Sequence, residues 1–270
     1  MKRRVYFISD GTAITAETLG KSLLTQFEQV SFEFTTLPYI NSAEQVATTL
    51  QLIEADNARQ DTLPIVIVTL VDPELRKQIQ QCNAFVVDIF SAFLAPLEKE
   101  LRSPSVSKAG KQRHIDQNHH YSNRIDAVHF AINNDDGAST REYDEADIIL
   151  VGVSRCGKTP TCLYLALQFG IRAANYPLTE EDLDGFELPA QLKAYRQKLY
   201  GLSISPQRLQ GIRQARRADS RYASMAQCQR EVRQAEAIFR KAGIPFIDTT
   251  RASVEEIATR VMNAAGLRRE

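Results

Sequence analysis

The stretch Ile148-Ile-Leu-Val-Gly152-Val-Ser-Arg-Cys-Gly157-Lys158-Thr159 decides how the second half of this chain is read. Four apolar residues, as expected of a strand covered on both faces, run into a loop of the form G-x-x-x-x-G-K-[ST]. Cys162-Leu-Tyr-Leu-Ala-Leu167 then leaves the loop as an amphipathic helix. Each loop position has a chemical task. The glycines let backbone N–H groups turn inward around phosphate oxygens. Lys158 is placed to reach the β- and γ-phosphates, and the Thr159 hydroxyl to ligate Mg²⁺. The dipole of the following helix favours the same anion. A P-loop therefore assigns Gly152, Val153, Ser154, Arg155, Cys156, Gly157, Lys158 and Thr159 to nucleotide binding. The plain alternative is a Gly-rich turn between strand and helix.

Outward from the loop the α/β rhythm continues. Strands are expected at 171–176, 201–205 and 244–249, and helices at 158–169, 188–199, 206–218 and 225–242. Ser253-Val-Glu-Glu256 is a capping box that opens a C-terminal helix. Upstream, Tyr121, Ile125, Val128 and Ile132 mark one helix face, which Asn133-Asn-Asp-Asp-Gly137 ends. The first hundred residues alternate in the same way. Strands are expected at 4–9, 30–37, 64–71 and 83–90. Helices are expected at 15–27, from the capping box at Ser42 to Ile53, from Asp72-Pro73 onward, and at 91–101. Residues 102–117 show no periodicity and read as a linker or mobile loop. The fold class is α/β. A parallel-sheet N-terminal domain (1–101) is joined to a P-loop nucleotide-binding α/β domain (118–270).

Composition narrows the function. The 270 residues carry 33 basic and 33 acidic side chains and 43% apolar residues, which excludes a disordered chain. No apolar run approaches the roughly 18 residues of a membrane span. The apolar run near the N-terminus is shorter than the roughly 7–15 residues of a secretory core. A cytoplasmic protein is expected. Zero net charge hides asymmetry: residues 193–241 hold twelve basic and three acidic side chains, and 133–147 hold six acids and one Arg. A nucleic-acid binder usually has an overall basic excess, so the pattern points to phosphate and metal, not nucleic acid. Cys82, Cys156, Cys162 and Cys228 form no C-x-x-C, and His114, His119, His120 and His129 have no partner cysteines. Neither a disulfide framework nor a zinc site is indicated.

Further candidates surround the loop. Asp135-Asp136-Gly137 is a turn sequence that also offers carboxylates. Either acid could take a proton from a hydroxyl acceptor or hold a metal. No apolar run ending in Asp follows the loop closely; Val86-Val-Asp88 and Phe246-Ile-Asp248 are badly placed. Arg213, Arg216, Arg217 and Arg221, at i, i+3, i+4 and i+8, share one helix face, as a phosphate-binding set or as a solvated basic face. Asp10-Gly11-Thr12 reads as an N-cap turn or as a second anion or protein contact. His120 and Arg124 are expected on a solvated face. Cys156 carries no sign of an activated thiol.

Taken together, Ser9-Asp-Gly-Thr12, Arg124-Ile-Asp-Ala127, Asp135-Asp-Gly137, Gly152 through Pro160, Ala174-Asn-Tyr-Pro177, Gly201-Leu-Ser-Ile204, Ile212-Arg213 and Ile247-Asp-Thr249 resemble the bacterial phosphoenolpyruvate synthase regulatory proteins. The same family includes the pyruvate, phosphate dikinase regulatory proteins. Many of those have Thr-Ser where this chain has Cys156-Gly157, so the Gly-Lys-Thr form is similar to the synthase branch. The resemblance implies a bifunctional serine/threonine kinase and phosphorylase. ADP gives its β-phosphate to a Thr of phosphoenolpyruvate synthase, releasing AMP. Inorganic phosphate later removes that group as pyrophosphate. On this reading Asp136, or else Asp135, is the base. Lys158 with one or more of Arg213, Arg216 and Arg217 offsets phosphoryl charge, and Thr159 with a carboxylate holds Mg²⁺. The residues alone reach only a P-loop phosphotransferase. A small-molecule kinase, a nucleotide switch, the dikinase as target and a homodimeric assembly stay open.

Overall fold

Two four-stranded parallel sheets organise the chain, each in its own unit, Met1–Ile115 and Asp116–Glu270. The computed structural model describes residues 2–57, 62–105, 117–135, 137, 142–218 and 220–267, with 117–122 by backbone alone. Residues 106–116 of the expected linker therefore lie outside the described residues, as do the side chains of His114, His119, His120 and Tyr121.

In the first unit β1 (Lys2–Ser9), β2 (Ser31–Leu37), β3 (Ile65–Thr69) and β4 (Phe85–Asp88) form a sheet in the order β2-β1-β3-β4. Every pairing is parallel, with Val5 opposite both Phe34 and Ile65. Parallel strands need crossovers, and these cover both faces. Tyr6, Ile8, Val66 and Val68 pack with Val46 and Ile53 of α2 (Ala43–Asn57) and Leu75 and Ile79 of α3 (Pro73–Ile79). The alternate residues Val5, Phe7 and Ile67 pack with Ala16 and Leu24 of α1 (Ile14–Leu24) and Ile89 of α4 (Ile89–Leu101). Asp72 caps α3 through the amides of Glu74 and Leu75, with Pro73 at the first helical position. Asp10 does not cap α1. Its carboxylate accepts the Val71 amide at 2.9 Å, and Ala13 holds the N-cap position at φ 64°.

The second unit repeats the plan. β5 (Ile148–Gly152), β6 (Ala173–Pro177), β7 (Leu199–Ser203) and β8 (Phe246–Asp248) run parallel in the order β6-β5-β7-β8. Every residue of β5 and of β7 is buried. The helices are α5 (Gln117–Asn133), α6 (Lys158–Phe169), α7 (Glu180–Asp184), α8 (Pro206–Arg216), α9 (Met225–Ala242) and α10 (Val254–Ala265). Short α7, with its capping box at Thr179 and Asp182, has no counterpart in the sequence reading.

Two sequence expectations are corrected. Of the expected α5 stripe, Ile132 is 59% exposed and Val128 packs only partly buried against the core; the buried residues of α5 are Ala127, Phe130 and Ala131 among those described. α5 packs against α6, and small residues permit that approach. Nor do the four arginines share a helical face. α8 stops at Arg216, Arg217 is extended at φ −143°, and Arg221 lies in a separate helical turn. In the C-terminal capping box Ser253 Oγ accepts the Glu256 amide at 3.3 Å, and Glu256 accepts the Ser253 amide at 3.0 Å. Ser253→Ala is expected to lower stability by about 1 kcal/mol. A thermal melt checks this: the midpoint should fall by roughly 2–4 °C for a unit of this size.

Candidate active site

In the second sheet β5 lies between β6 and β7, so successive connections leave in opposite directions at its carboxyl end. Ligands of open α/β sheets bind in the crevice that such a reversal creates. The 152–159 loop occupies it. Gly152 is required by close approach, since a Cβ there would meet the Leu202 carbonyl oxygen at 2.5 Å. Gly157 is required by conformation: its φ is 101°, which L side chains rarely adopt. Arg155 adopts φ 75° without being glycine, a strained state that surrounding structure must hold.

A cavity of about 440 Å³ opens over this loop, lined by Ser154, Arg155, Gly157, Lys158, Thr159 and Pro160 together with Asp135 and Arg216. Two other depressions lie on the same unit. One, over Ile238, is rimmed by Lys193, Arg196 and Lys241; the other is lined by Arg124, Asp126, Glu145 and Arg172. Neither includes a residue of the 152–159 loop.

Lys158 is buried, and its ammonium donates to the Val153 carbonyl at 3.0 Å. Thr159 Oγ1 donates to Asp135 Oδ1 at 2.8 Å, and the buried Asn175 side chain on β6 donates to the same oxygen. The Asn175 amide also bonds the Asn134 carbonyl at 3.2 Å, and Tyr143 bonds the Asn175 carbonyl at 3.0 Å. The end of α5 is thereby tied to the loop, so Asp135 stands beside Thr159 through tertiary contacts. A hydroxyl and a carboxylate side by side at this cavity are the hard oxygen donors Mg²⁺ takes, so this pair fits that ion. Among the described residues no group of three or more His, Cys, Asp and Glu could hold a metal by itself.

The remaining candidates separate. Asp136 lies outside the described residues. Arg216 lines the cavity, whereas Arg213 and Arg217 do not. Arg213 is 0% exposed and turned inward. It donates to Glu231 at 2.6 Å, to the Ser154 carbonyl at 3.1 Å and to the Tyr222 carbonyl at 3.1 Å, stacking 4.1 Å from the Tyr222 ring. Burial disfavours its charge, but hydrogen bonding and attraction from Glu231 outweigh that and raise its pKa. Asp248 is engaged with Thr250 and does not line the cavity, and Asp88 caps α4 of the first unit. Sequence reasoning missed Asn175, Tyr222, Glu231 and Thr249. Asn175 and Thr249 stand within quoted motifs, but no local pattern marks any of the four as a neighbour of the loop.

All four cysteines are free and buried. Burial pushes the Cys156 thiol up, against smaller opposing effects from Lys158 and nearby amides. Iodoacetamide at pH 8 should leave Cys156 unmodified in the folded chain and label it after unfolding; mass spectrometry of the loop peptide reads the difference.

Comparison with known proteins places the chain in a family. The model of the kinase/pyrophosphorylase family matches residues 5–262. A protein of Pseudomonas savastanoi pv. phaseolicola, provisionally named phosphoenolpyruvate synthase regulatory protein, is 55% identical over 269 residues, covering 100% of this chain and 99% of its own. A Stutzerimonas stutzeri protein of the same provisional name is also 55% identical over 269 residues, with the same coverage. One from Legionella pneumophila strain Corby is 53% identical over 270 residues, covering all of both chains. Matched by the family model from residue 5 to residue 262 and similar end to end to these relatives, the chain belongs to the kinase/pyrophosphorylase family.

Proposed function

We propose that this family enzyme transfers the β-phosphate of ADP to a Thr of phosphoenolpyruvate synthase, inactivating it, and reverses the modification with inorganic phosphate. The observation that carries the reading is one cavity where the Gly157 turn, Lys158, Arg155 and Arg216 meet the Asp135–Thr159 pair. Cations and backbone amides gathered at one end of a sheet suit a phosphoryl group. A carboxylate beside them suits its transfer to or from an oxygen.

In the forward direction the Thr oxygen attacks the β-phosphorus. The bond to the bridging oxygen breaks, AMP leaves, and the hydroxyl proton passes to a carboxylate. In the reverse direction a phosphate oxygen attacks the phosphothreonine phosphorus. Pyrophosphate forms, and the Thr oxygen regains a proton. Lys158 and Arg216 offset charge on the moving group. Thr159 and Asp135 would hold Mg²⁺, which when bound neutralises phosphate charge. With Asp135 so engaged, Asp136 is the base. The relatives' names as phosphoenolpyruvate synthase regulatory proteins support the synthase as target.

Two experiments test this. Incubation of the chain and phosphoenolpyruvate synthase with β-labelled ADP should place label on a synthase Thr. Label on a small molecule, or none at all, would overturn the assignment. Lys158→Ala should abolish transfer in both directions while the protein stays folded; intact phosphorylase activity would break the single-site reading.

The two acids should separate as well. Asp136→Asn is expected to lower turnover in both directions by roughly 10²–10⁴-fold, the usual contribution of a general base, with ADP affinity nearly unchanged. Asp135→Asn should instead weaken the Mg²⁺-dependent part of ADP affinity. Turnover, and calorimetric ADP binding with and without Mg²⁺, measure both.

A further inference from the structure

We propose that Arg213 is a positioning residue: its buried guanidinium holds the Ser154 carbonyl back from the cavity and so aims the Arg155 amide toward phosphate. This rests on the reading of the 152–159 loop as a phosphate cradle.

A cradle needs N–H groups converging on one point. A trans peptide is planar, with its N–H opposite its C=O. Each inward amide therefore sends the preceding carbonyl outward, into protein, where it must find a donor. Two outward carbonyls have donors from distant elements. The Ser154 carbonyl accepts from Arg213 at 3.1 Å, and the Cys156 carbonyl accepts at 3.0 Å from Thr249 Oγ1, whose one proton is shared with the Ser203 carbonyl at 2.9 Å. These two peptides carry the amides of Arg155 and Gly157, and both residues line the cavity. The clamps sit on either side of Arg155, the strained residue at φ 75°.

Arg213 suits this task by shape. One planar fork reaches the Tyr222 carbonyl from Nη1 and the Ser154 carbonyl and Glu231 from Nη2, a fixed spread that the one nitrogen of an ammonium does not reproduce. Glu231 balances its charge and is itself held by Gln227 at 2.8 Å. Tyr222, stacked on the guanidinium, meets Ser154 Oγ through its hydroxyl at 3.0 Å, so both polar ends of Ser154 are gripped. Arg216, one helical turn further, lines the cavity itself. Two neighbouring arginines thus divide the work: one addresses the ligand, the other its backbone cradle.

The test is calorimetric titration of inorganic pyrophosphate into the full chain, with the Arg155 and Gly157 amides followed by ¹⁵N NMR. In the wild type both amides should shift on binding. Arg213→Lys keeps the charge and loses the fork. It should bind about tenfold more weakly, the order of one lost charge-assisted hydrogen bond, and lose the Arg155 shift. Thr249→Val changes no charge and should weaken binding while losing the Gly157 shift. If Arg213→Lys does not fold, the charge-balanced pair Arg213→Gln with Glu231→Gln carries the same comparison. Wild-type affinity and an intact Arg155 shift in a folded Arg213 variant, whatever its melting temperature, would overturn the proposal. A wild type that binds neither pyrophosphate nor ADP would instead remove the cradle reading itself.

Discussion

The parallel pairing of β5 between β6 and β7 is the constraint on which the second unit depends. A strand buried along its whole length cannot present side chains to a ligand. Only the loop at its carboxyl end can, and the reversal of strand order leaves a crevice there. Gly152 shows how tight the arrangement is, because the neighbouring strand's Leu202 carbonyl leaves no room for a methyl group. The first unit has the same strand order, and the corresponding loop is tied differently: Asp10 binds the Val71 amide and links the ends of β1 and β3.

Around the crevice the electrostatics follow from burial. Lys158 and Arg213 are both out of water, and each has acceptors within the protein, although among the described residues Arg213 Nε finds none. For Lys158 the partner is the Val153 carbonyl inside its own loop, a neutral acceptor that a phosphate can replace. For Arg213 the partner is Glu231, 7% exposed at the side chain. Removing one member of such a buried pair typically costs about 3–5 kcal/mol, because the other charge is stranded. One cation can therefore turn to a ligand while the other stays within the fold, although both belong to the same basic region of the sequence.

The parallel α/β alternation and the loop were largely legible in advance, for a local reason. β-branched runs, capping residues and the G-x-x-x-x-G-K-[ST] spacing are all written within about a dozen positions. α6 and α9 begin and end where the residues indicate, and the capping box at Ser253 forms as read. The face of α5 was misread because periodicity counts large apolar residues, whereas packing against α6 selects Ala127 and Ala131. α8 was drawn too long because nothing between Arg216 and Ala218 breaks a helix by composition alone.

By itself the sequence determined an α/β chain with a glycine-bearing loop between strand and helix at 152–159, because propensity, capping and glycine placement act over short separations. Tertiary structure decided which charges serve that loop. Arg213 and Arg216 are chemically identical and three residues apart. One is claimed by Glu231, eighteen positions away on α9, and the other is left lining the cavity. Asp135 likewise stands beside Thr159 because Asn175, from another strand, holds it there. Such pairings depend on distances in space between residues far apart in the chain, and the packing of helices on the sheet sets those distances.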